Sequence, residues 1–253
     1  MGWRLPQAVK EKSREASNTQ MVDPFGIFHG SGSVITLEKL ALLYEERDLA
    51  DYAYVVRRGL CFSFRHEEDG RRQIIDLAFP GDFVGLEALT QPHYVSGVSA
   101  LTSAEVMAYP ADEFTRQCYA DPALSRALVE CIARERAILT KRLVGVVHRS
   151  ASRRIAHFLL EVRVRAIAAS SACPPYPAGN ALHGSEEPFS LKLPQAVIAD
   201  ALGLSLVHVS RTLNRLRSDG LIDYCSSGLR YRNLEGLKSV ALWEGLSPWF
   251  DPV

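Results

Sequence analysis

Apolar and polar positions divide this chain into stretches of different rhythm. From about Phe25 to Tyr109, short β-type runs are separated by turn signals every roughly 8–12 residues, as in an all-β sandwich or barrel. Tyr52-Ala-Tyr-Val-Val-Arg runs up to Gly59, and Leu60-Cys-Phe-Ser-Phe-Arg then alternates in hydrophobicity. Glu67-Glu-Asp-Gly70 reads as a hairpin turn, because Asp-Gly accepts the positive φ that tight turns demand. Gln73-Ile-Ile-Asp-Leu-Ala-Phe returns as the partner strand, Pro80-Gly-Asp82 breaks it, and Glu105-Val-Met-Ala-Tyr109 closes the region. An antiparallel β domain is predicted.

After Asp121-Pro122 the rhythm changes to that of a long helix, with Asp121 as its cap and Pro122 in the first turn, where a missing N–H costs nothing. Leu124, Leu128, Ile132, Leu139, Leu143 and Val146 recur at spacings of 3, 4 and 7 residues. Periodicity alone leaves two partners open for this stripe: the core of the same chain, or a coiled-coil seam against a second copy. Ser150-Ala-Ser-Arg-Arg-Ile-Ala-His-Phe-Leu-Leu-Glu-Val reads as a further amphipathic helix, with His148 and His157 on the helical surface. From Ala169 to about Glu187 the Ser, Pro, Ala and Gly content predicts a loop. Residues 1 to about 20 read as a charged tail.

The segment from Leu193 to Ile222 carries the chemistry. A helix over roughly Pro194–Leu202 places Ala199 inward, and Gly203 follows where a sharp helix-to-helix turn needs positive φ. Ser205 caps a second helix, whose inner face is Val209, Leu213 and Leu216. This Ala-xxx-Gly-xxxxx-Val spacing is that of a helix-turn-helix, whose second helix enters the DNA major groove. Its outer face carries Leu206, Val207, His208, Ser210, Arg211, Asn214 and Arg215. Beyond Gly220-Leu-Ile, a hairpin tipped by Ser-Ser-Gly reads as a wing, with Arg230 and Arg232 placed to touch phosphate.

Charge sharpens this picture. The whole chain is neutral, with 29 basic and 29 acidic residues, but Lys141–Arg232 carries 13 Lys and Arg against 6 Asp and Glu. A net +7 segment is thus joined to a net −7 remainder, as expected of a polyanion-binding part attached to a part with another task. The five cysteines (Cys61, Cys118, Cys131, Cys173 and Cys225) are widely spaced with no CxxC pair, which argues against a disulfide framework or structural zinc. They read as reduced, buried thiols, or one as a redox sensor; Cys131 borders the long-helix stripe, where oxidation would weaken association. No apolar run approaches the roughly 20 residues of a membrane helix, and Met1–Gln20 holds no secretory signal, so a cytoplasmic protein is expected.

The order of β domain, long helix and winged helix-turn-helix resembles the Crp/Fnr family of bacterial transcription regulators. The resemblance rests on Asp69-Gly-Arg-Arg-Gln-Ile, Phe79-Pro-Gly-Asp-Phe-Val-Gly-Leu, Ser152-Arg-Arg-Ile-Ala-His-Phe-Leu-Leu and, most specifically, Leu202-Gly-Leu-Ser…Val-Ser-Arg-Thr-Leu-Asn-Arg-Leu-Arg…Gly-Leu-Ile222. It covers about residues 25–235. It implies an α+β chain: a flexible tail (1–20), a cyclic-nucleotide-binding-like, jelly-roll-like β-roll (21–120), a dimerisation helix (121–148) and a winged helix-turn-helix domain (149–253). It further implies a homodimer joined through Leu128, Ile132, Leu139, Leu143 and Val146, which binds a palindromic operator and contacts RNA polymerase.

The sequence departs from the family at three places. Members that respond to cyclic AMP carry a Gly-Glu pair and, about ten residues on, an Arg-Ser pair. Here Gly85-Leu-Glu87 displaces the carboxylate by one residue, and Tyr94-Val-Ser-Gly-Val-Ser supplies no Arg, so a buried phosphodiester would lack its cation. Cyclic AMP is therefore not expected; any other effector would meet Gly81, Gly85, Leu86, Glu87 and Tyr94, in a pocket lined by Pro80–Tyr94. Cluster-bearing members place cysteines near the N-terminus, but none precedes Cys61 here, so no iron–sulfur cluster is expected either. Haem stays open, since His29, His66 and His93 are each able to ligate iron and each equally an ordinary loop histidine. On the recognition helix the family's Glu-xx-Ser-Arg becomes Val207-xx-Ser210-Arg211, so DNA binding carries over while the usual half-site does not. Leu206 and Val207 either meet thymine methyl groups or pack on the preceding helix.

Two other classes stand behind this reading. A β-roll that binds an effector, with a winged helix used for protein contacts, fits the zero net charge but not the +7 segment. An enzyme has no GxSxG, HExxH, P-loop or GxGxxG in strand context to stand on.

Overall fold

The computed structural model describes residues 32–172, 190–191, 193–225 and 228–245. The N-terminal tail, His29, Cys173, His183, most of the expected loop and the tip of the wing lie outside the described residues. The chain divides into two compact units. Of the described residues, 32–66 and 75–131 belong to the first, and 67–74, 132–172 and those from 190 onward to the second.

Among the described residues the first unit holds eight strands: β1 (Ser33–Leu37), β2 (Leu42–Tyr44), β3 (Tyr52–Arg58), β4 (Cys61–His66), β5 (Arg72–Ala78, whose first residues count with the second unit), β6 (Phe83–Val84), β7 (Gly97–Ala100) and β8 (Ala104–Pro110). They form two four-stranded sheets, ordered β1-β8-β3-β6 and β2-β7-β4-β5. Alternation along β3 explains its nearly unbroken apolar run, since successive side chains leave opposite faces of a sheet. Tyr54 and Val56 enter one core with Leu43, Tyr44, Cys61, Tyr94, Val98 and Val106, drawn from both sheets. Ala53 and Val55 enter a second core with Met107, Tyr109, Phe114, Leu124 and Leu128. Burial in the first core pushes the Cys61 thiol up to about 12, so it stays protonated.

Helix α1 (Ala111–Ala120) supplies Phe114 to the second core, and α2 (Pro122–His148) follows it. As its sequence predicts, α2 opens on Pro122, and the backbone N–H of Ala123 donates to Asp121 Oδ1 at 2.8 Å. The boundary between the units falls inside α2, after Cys131.

The second unit contains α3 (Ala151–Ala172), β9 (Ser190–Leu191), α4 (Gln195–Leu202), α5 (Leu206–Ser218), β10 (Ile222–Cys225), β11 (Gly228–Tyr231) and α6 (Leu234–Ala241). Helix α3 runs through Ala169-Ser-Ser-Ala172, which the composition assigns to a loop; two alanines among the small residues suffice to carry the last turn. Strands β10, β11 and β9 form the wing sheet in that order, and α6 packs on α3. His157, expected on the surface, is buried instead, its ring 4.7 Å from that of Trp243. No single described helix is long and apolar enough to cross a membrane.

Candidate nucleic-acid interface

The turn between α4 and α5 is built as its sequence requires. Gly203 ends α4 at φ 59°, its N–H donating to the Ala199 carbonyl, and Ala199 is buried beneath it. Ser205 then caps α5, its hydroxyl oxygen accepting from the His208 N–H at 3.2 Å. Arg154 on α3 donates to the Leu202 carbonyl and Tyr231 on β11 donates to the Leu159 carbonyl at 2.6 Å, which binds α3, α4 and the wing into one body.

Val209, Thr212, Leu213 and Leu216 fill the inner face of α5. Val207, Arg211, Asn214 and Ser218 follow at i, i+4, i+7 and i+11, so they form one ridge on the opposite side, and all four are exposed. Leu206, His208, Arg215 and Arg217 flank that ridge and are exposed; Ser210, beside it, is half-buried. Leu206 and Val207 are 53% and 59% exposed, so packing on α4 does not occupy them. Arg211 and Arg215 take part in no ion pair among the described residues, which leaves both guanidinium groups available for guanine edges or phosphate.

The wing is less uniform than its sequence suggests. Asp223 on β10 accepts from Arg232 at 3.1 Å and lies 3.6 Å from Arg217. Arg232 and Arg217 are thus partly neutralised, whereas Arg230, opposite Asp223 in the strand register, forms no ion pair among the described residues. Neither Arg217 nor Asp223 is singled out by the sequence, because the strand register sets Asp223 opposite Arg230 while its ion pairs are made with Arg232 and with Arg217 on α5.

Of the five residues proposed to meet an effector, Gly85 and Tyr94 stand against each other with Glu87 close enough to act on the Tyr94 phenol, and Leu86 turns away. Tyr94 is 3% exposed, stacked on Tyr44, with its hydroxyl donating to the Tyr52 carbonyl at 2.6 Å. Gly85, at φ 74°, lies so close that an added Cβ would stand 3.0 Å from the Tyr94 ring and 3.2 Å from the Tyr44 hydroxyl. Leu86 turns to the other core, beside Phe114 and Leu124, and Glu87 sits with it in a short 3-10 turn (Leu86–Leu89) rather than on a strand. Gly81, at φ 98°, occupies the tight turn after β5. His66 meets Phe64 edge-on and His93 bridges to Leu49.

The stripe on α2 has two partners along its length, not one. Leu124 and Leu128 are buried in their own chain's core, so Leu128 leaves the set of dimer-seam residues. Cys131 is buried as well, which removes it from an exposed seam. Ile132, Leu139, Leu143 and Val146 are between 42% and 67% exposed.

Comparison with known proteins places both halves. Residues 34–121 match the model of the cyclic nucleotide-binding domain, and residues 153–240 that of the Crp-like helix-turn-helix domain. The nitrogen fixation regulation protein FixK of Bradyrhizobium diazoefficiens is 31% identical over 188 residues, 74% of this chain and 73% of its own. The chain belongs to the Crp/Fnr family. The transcriptional regulatory protein btr of Bordetella pertussis is 29% identical over 81% of this chain and 80% of its own length. The solved structure of FixK2 from Bradyrhizobium japonicum superposes with a TM-score of 0.71 at 25% identity, covering 85% of this chain and 99% of that one. This Crp/Fnr protein is a DNA-binding transcription regulator, as its relatives are, and not an enzyme. The alternative of a winged helix used only for protein contacts falls with that finding.

Proposed function

We propose that this regulator acts in the cytoplasm as a homodimer on a palindromic operator, each copy laying α5 in one of two successive major grooves. The observation that carries the reading is the exposed apolar edge of α2, where Ile132, Leu139 and Val146 repeat every seven residues with Leu143 between them. A second copy of the same helix is the occupant that a heptad stripe fits, because a two-fold axis sets the stripe against itself. Within each half-site, Arg211 reads guanine, Asn214 and Ser210 offer both donor and acceptor, and Ser205, His208, Arg215, Arg230 and Arg232 lie against backbone or groove wall. The dimer presents the β-roll to RNA polymerase.

The β-roll works without cyclic AMP or an iron–sulfur cluster. The stacked tyrosines and the close approach of Gly85 support that reading, since a buried cyclic phosphate needs both room and a cation.

Selection from randomised duplex DNA by the purified full chain, with sedimentation of free and bound protein, tests the proposal. The expected result is a palindrome with half-sites about 10 bp apart bound by a dimer. A Leu143→Glu variant is expected to sediment as a monomer and lose the palindrome. A monomer on an asymmetric consensus would overturn it.

A further inference from the structure

We infer that Val207, with Leu206 beside it, reads thymine through its C5-methyl group, so that the operator half-site carries thymine where the first turn of α5 meets the bases. This rests on the DNA-binding arrangement proposed above and names the base class that it selects. Three observations meet at the same turn.

First, the position of Val207 is set by the fold. It heads the ridge that continues through Arg211, Asn214 and Ser218, opposite the buried Val209, Thr212, Leu213 and Leu216. In a recognition helix the N-terminal residues of that ridge reach the base edges.

Second, two large apolar side chains stand in water there although the helix does not need them. The inner face is already complete, and a β-branched valine on an exposed helical turn is a weaker helix former than Lys, Glu or Ala. Val207 heads an otherwise polar ridge and Leu206 flanks it on the same turn, so the start of the helix offers two exposed apolar side chains. A contact in the groove that hides them removes the exposure.

Third, the 13 residues of α5 contain no Asp or Glu. Cytosine presents an amino donor in the major groove and is best met by a carboxylate, which this helix lacks. Arg211 supplies the fork for guanine, and Asn214 supplies the amide for adenine. Among the four bases, thymine alone presents a methyl group in the major groove, and only an apolar surface gains from it. The ridge thus holds complements for guanine, adenine and thymine, with Val207 and Leu206 in the last role.

Replacing thymine by deoxyuridine deletes the methyl group and leaves base pairing intact. The experiment takes the operator selected by the full chain and substitutes each half-site thymine in turn. At one or two positions per half-site, binding is expected to weaken about fourfold for each methyl removed. Val207→Ala and Leu206→Ala, both at exposed positions and checked by thermal melting, are expected to bind the thymine operator more weakly. They are also expected to lose most of the difference between thymine and uracil. Val207→Glu is expected to move the preferred base at that position towards cytosine. Equal affinity of the wild-type chain for thymine and uracil operators, with selective binding intact, would overturn the inference alone. No enrichment of any duplex, with or without a small-molecule extract, would overturn the DNA-binding arrangement and the inference with it.

Discussion

The ring of Tyr94 lies on that of Tyr44, with centroids 3.7 Å apart and planes inclined by 19°. Tyr54 completes the group, 5.6 Å from Tyr44, and the phenols fill the space between the two sheets next to Gly85. Burial raises the pKa of all three, Tyr94 to about 12, so they remain neutral phenols. Truncating Tyr94→Ala should leave a cavity and lower stability by about 3–5 kcal/mol, as for other large aromatic deletions. Tyr94→Phe should cost only about 1 kcal/mol for the lost hydrogen bond to the Tyr52 carbonyl. Urea melts measure both. In the same melts saturating cyclic AMP should leave the wild-type midpoint unchanged; a clear rise would show that the tyrosines yield to a ligand.

Glu161 on α3 stands between two arginines. Arg142 Nε donates to Glu161 Oε2 at 3.1 Å, and Arg165 lies 3.5 Å from Oε1, with the carboxylate almost wholly buried. Arg142 also lies over the Phe158 ring, so the last turns of α2 are fastened to α3, on which the helix-turn-helix is built. Glu161→Gln removes the buried carboxylate charge that both arginines face and should cost about 3–5 kcal/mol, as breaking a buried ion pair does. Chemical denaturation decides it. A loss below about 1 kcal/mol would mean that water or movement of the helices relieves the charge.

Legibility followed how local each requirement is. Ala199, Gly203, Ser205 and Val209 each answer a steric or capping need within a few residues, so the helix-turn-helix was readable in detail. The strands β1, β2, β6 and β7 escaped because they span two to five residues and are held by partners far along the chain. Leu128 and Ile132 belong to one periodic stripe, yet the first is covered by the β unit's own core and the second is exposed. Periodicity records that a position is apolar, not what covers it. The same limit hid the packing of Tyr94 on Tyr44 and of His157 against Trp243, both of which join distant segments.

Burial, and then the positive charges of Arg149, Lys141 and Arg142, hold the pKa of His157 down to about 4. Between that value and the unfolded value of about 6.5 the unfolded chain binds the extra proton and the folded chain does not. Stability contributed by this residue is therefore complete above pH about 6.5 and declines as the pH falls towards 4, by a total on the order of 3 kcal/mol. His157→Gln should flatten that part of the profile, whatever its effect at neutral pH. Urea midpoints taken from pH 7.5 downward compare the two slopes, and identical slopes would place the acid sensitivity elsewhere.

Asp223 distinguishes two arginines that the wing sequence presents as equivalent. Arg232 is held by the carboxylate at 3.1 Å, while Arg230 forms no ion pair among the described residues. A phosphate contact from Arg230 adds a full positive charge to the DNA interface, so Arg230→Ala should lower the salt dependence of binding by about one counterion. Arg232→Ala should change it less, because Asp223 already offsets that charge. Asp223→Asn should act in the opposite direction, steepening the salt dependence as it releases Arg232 and Arg217 together. Affinities for one operator, measured at several salt concentrations, rank the variants. Equal slopes for the two arginine variants would show that DNA displaces the Asp223 pair on binding.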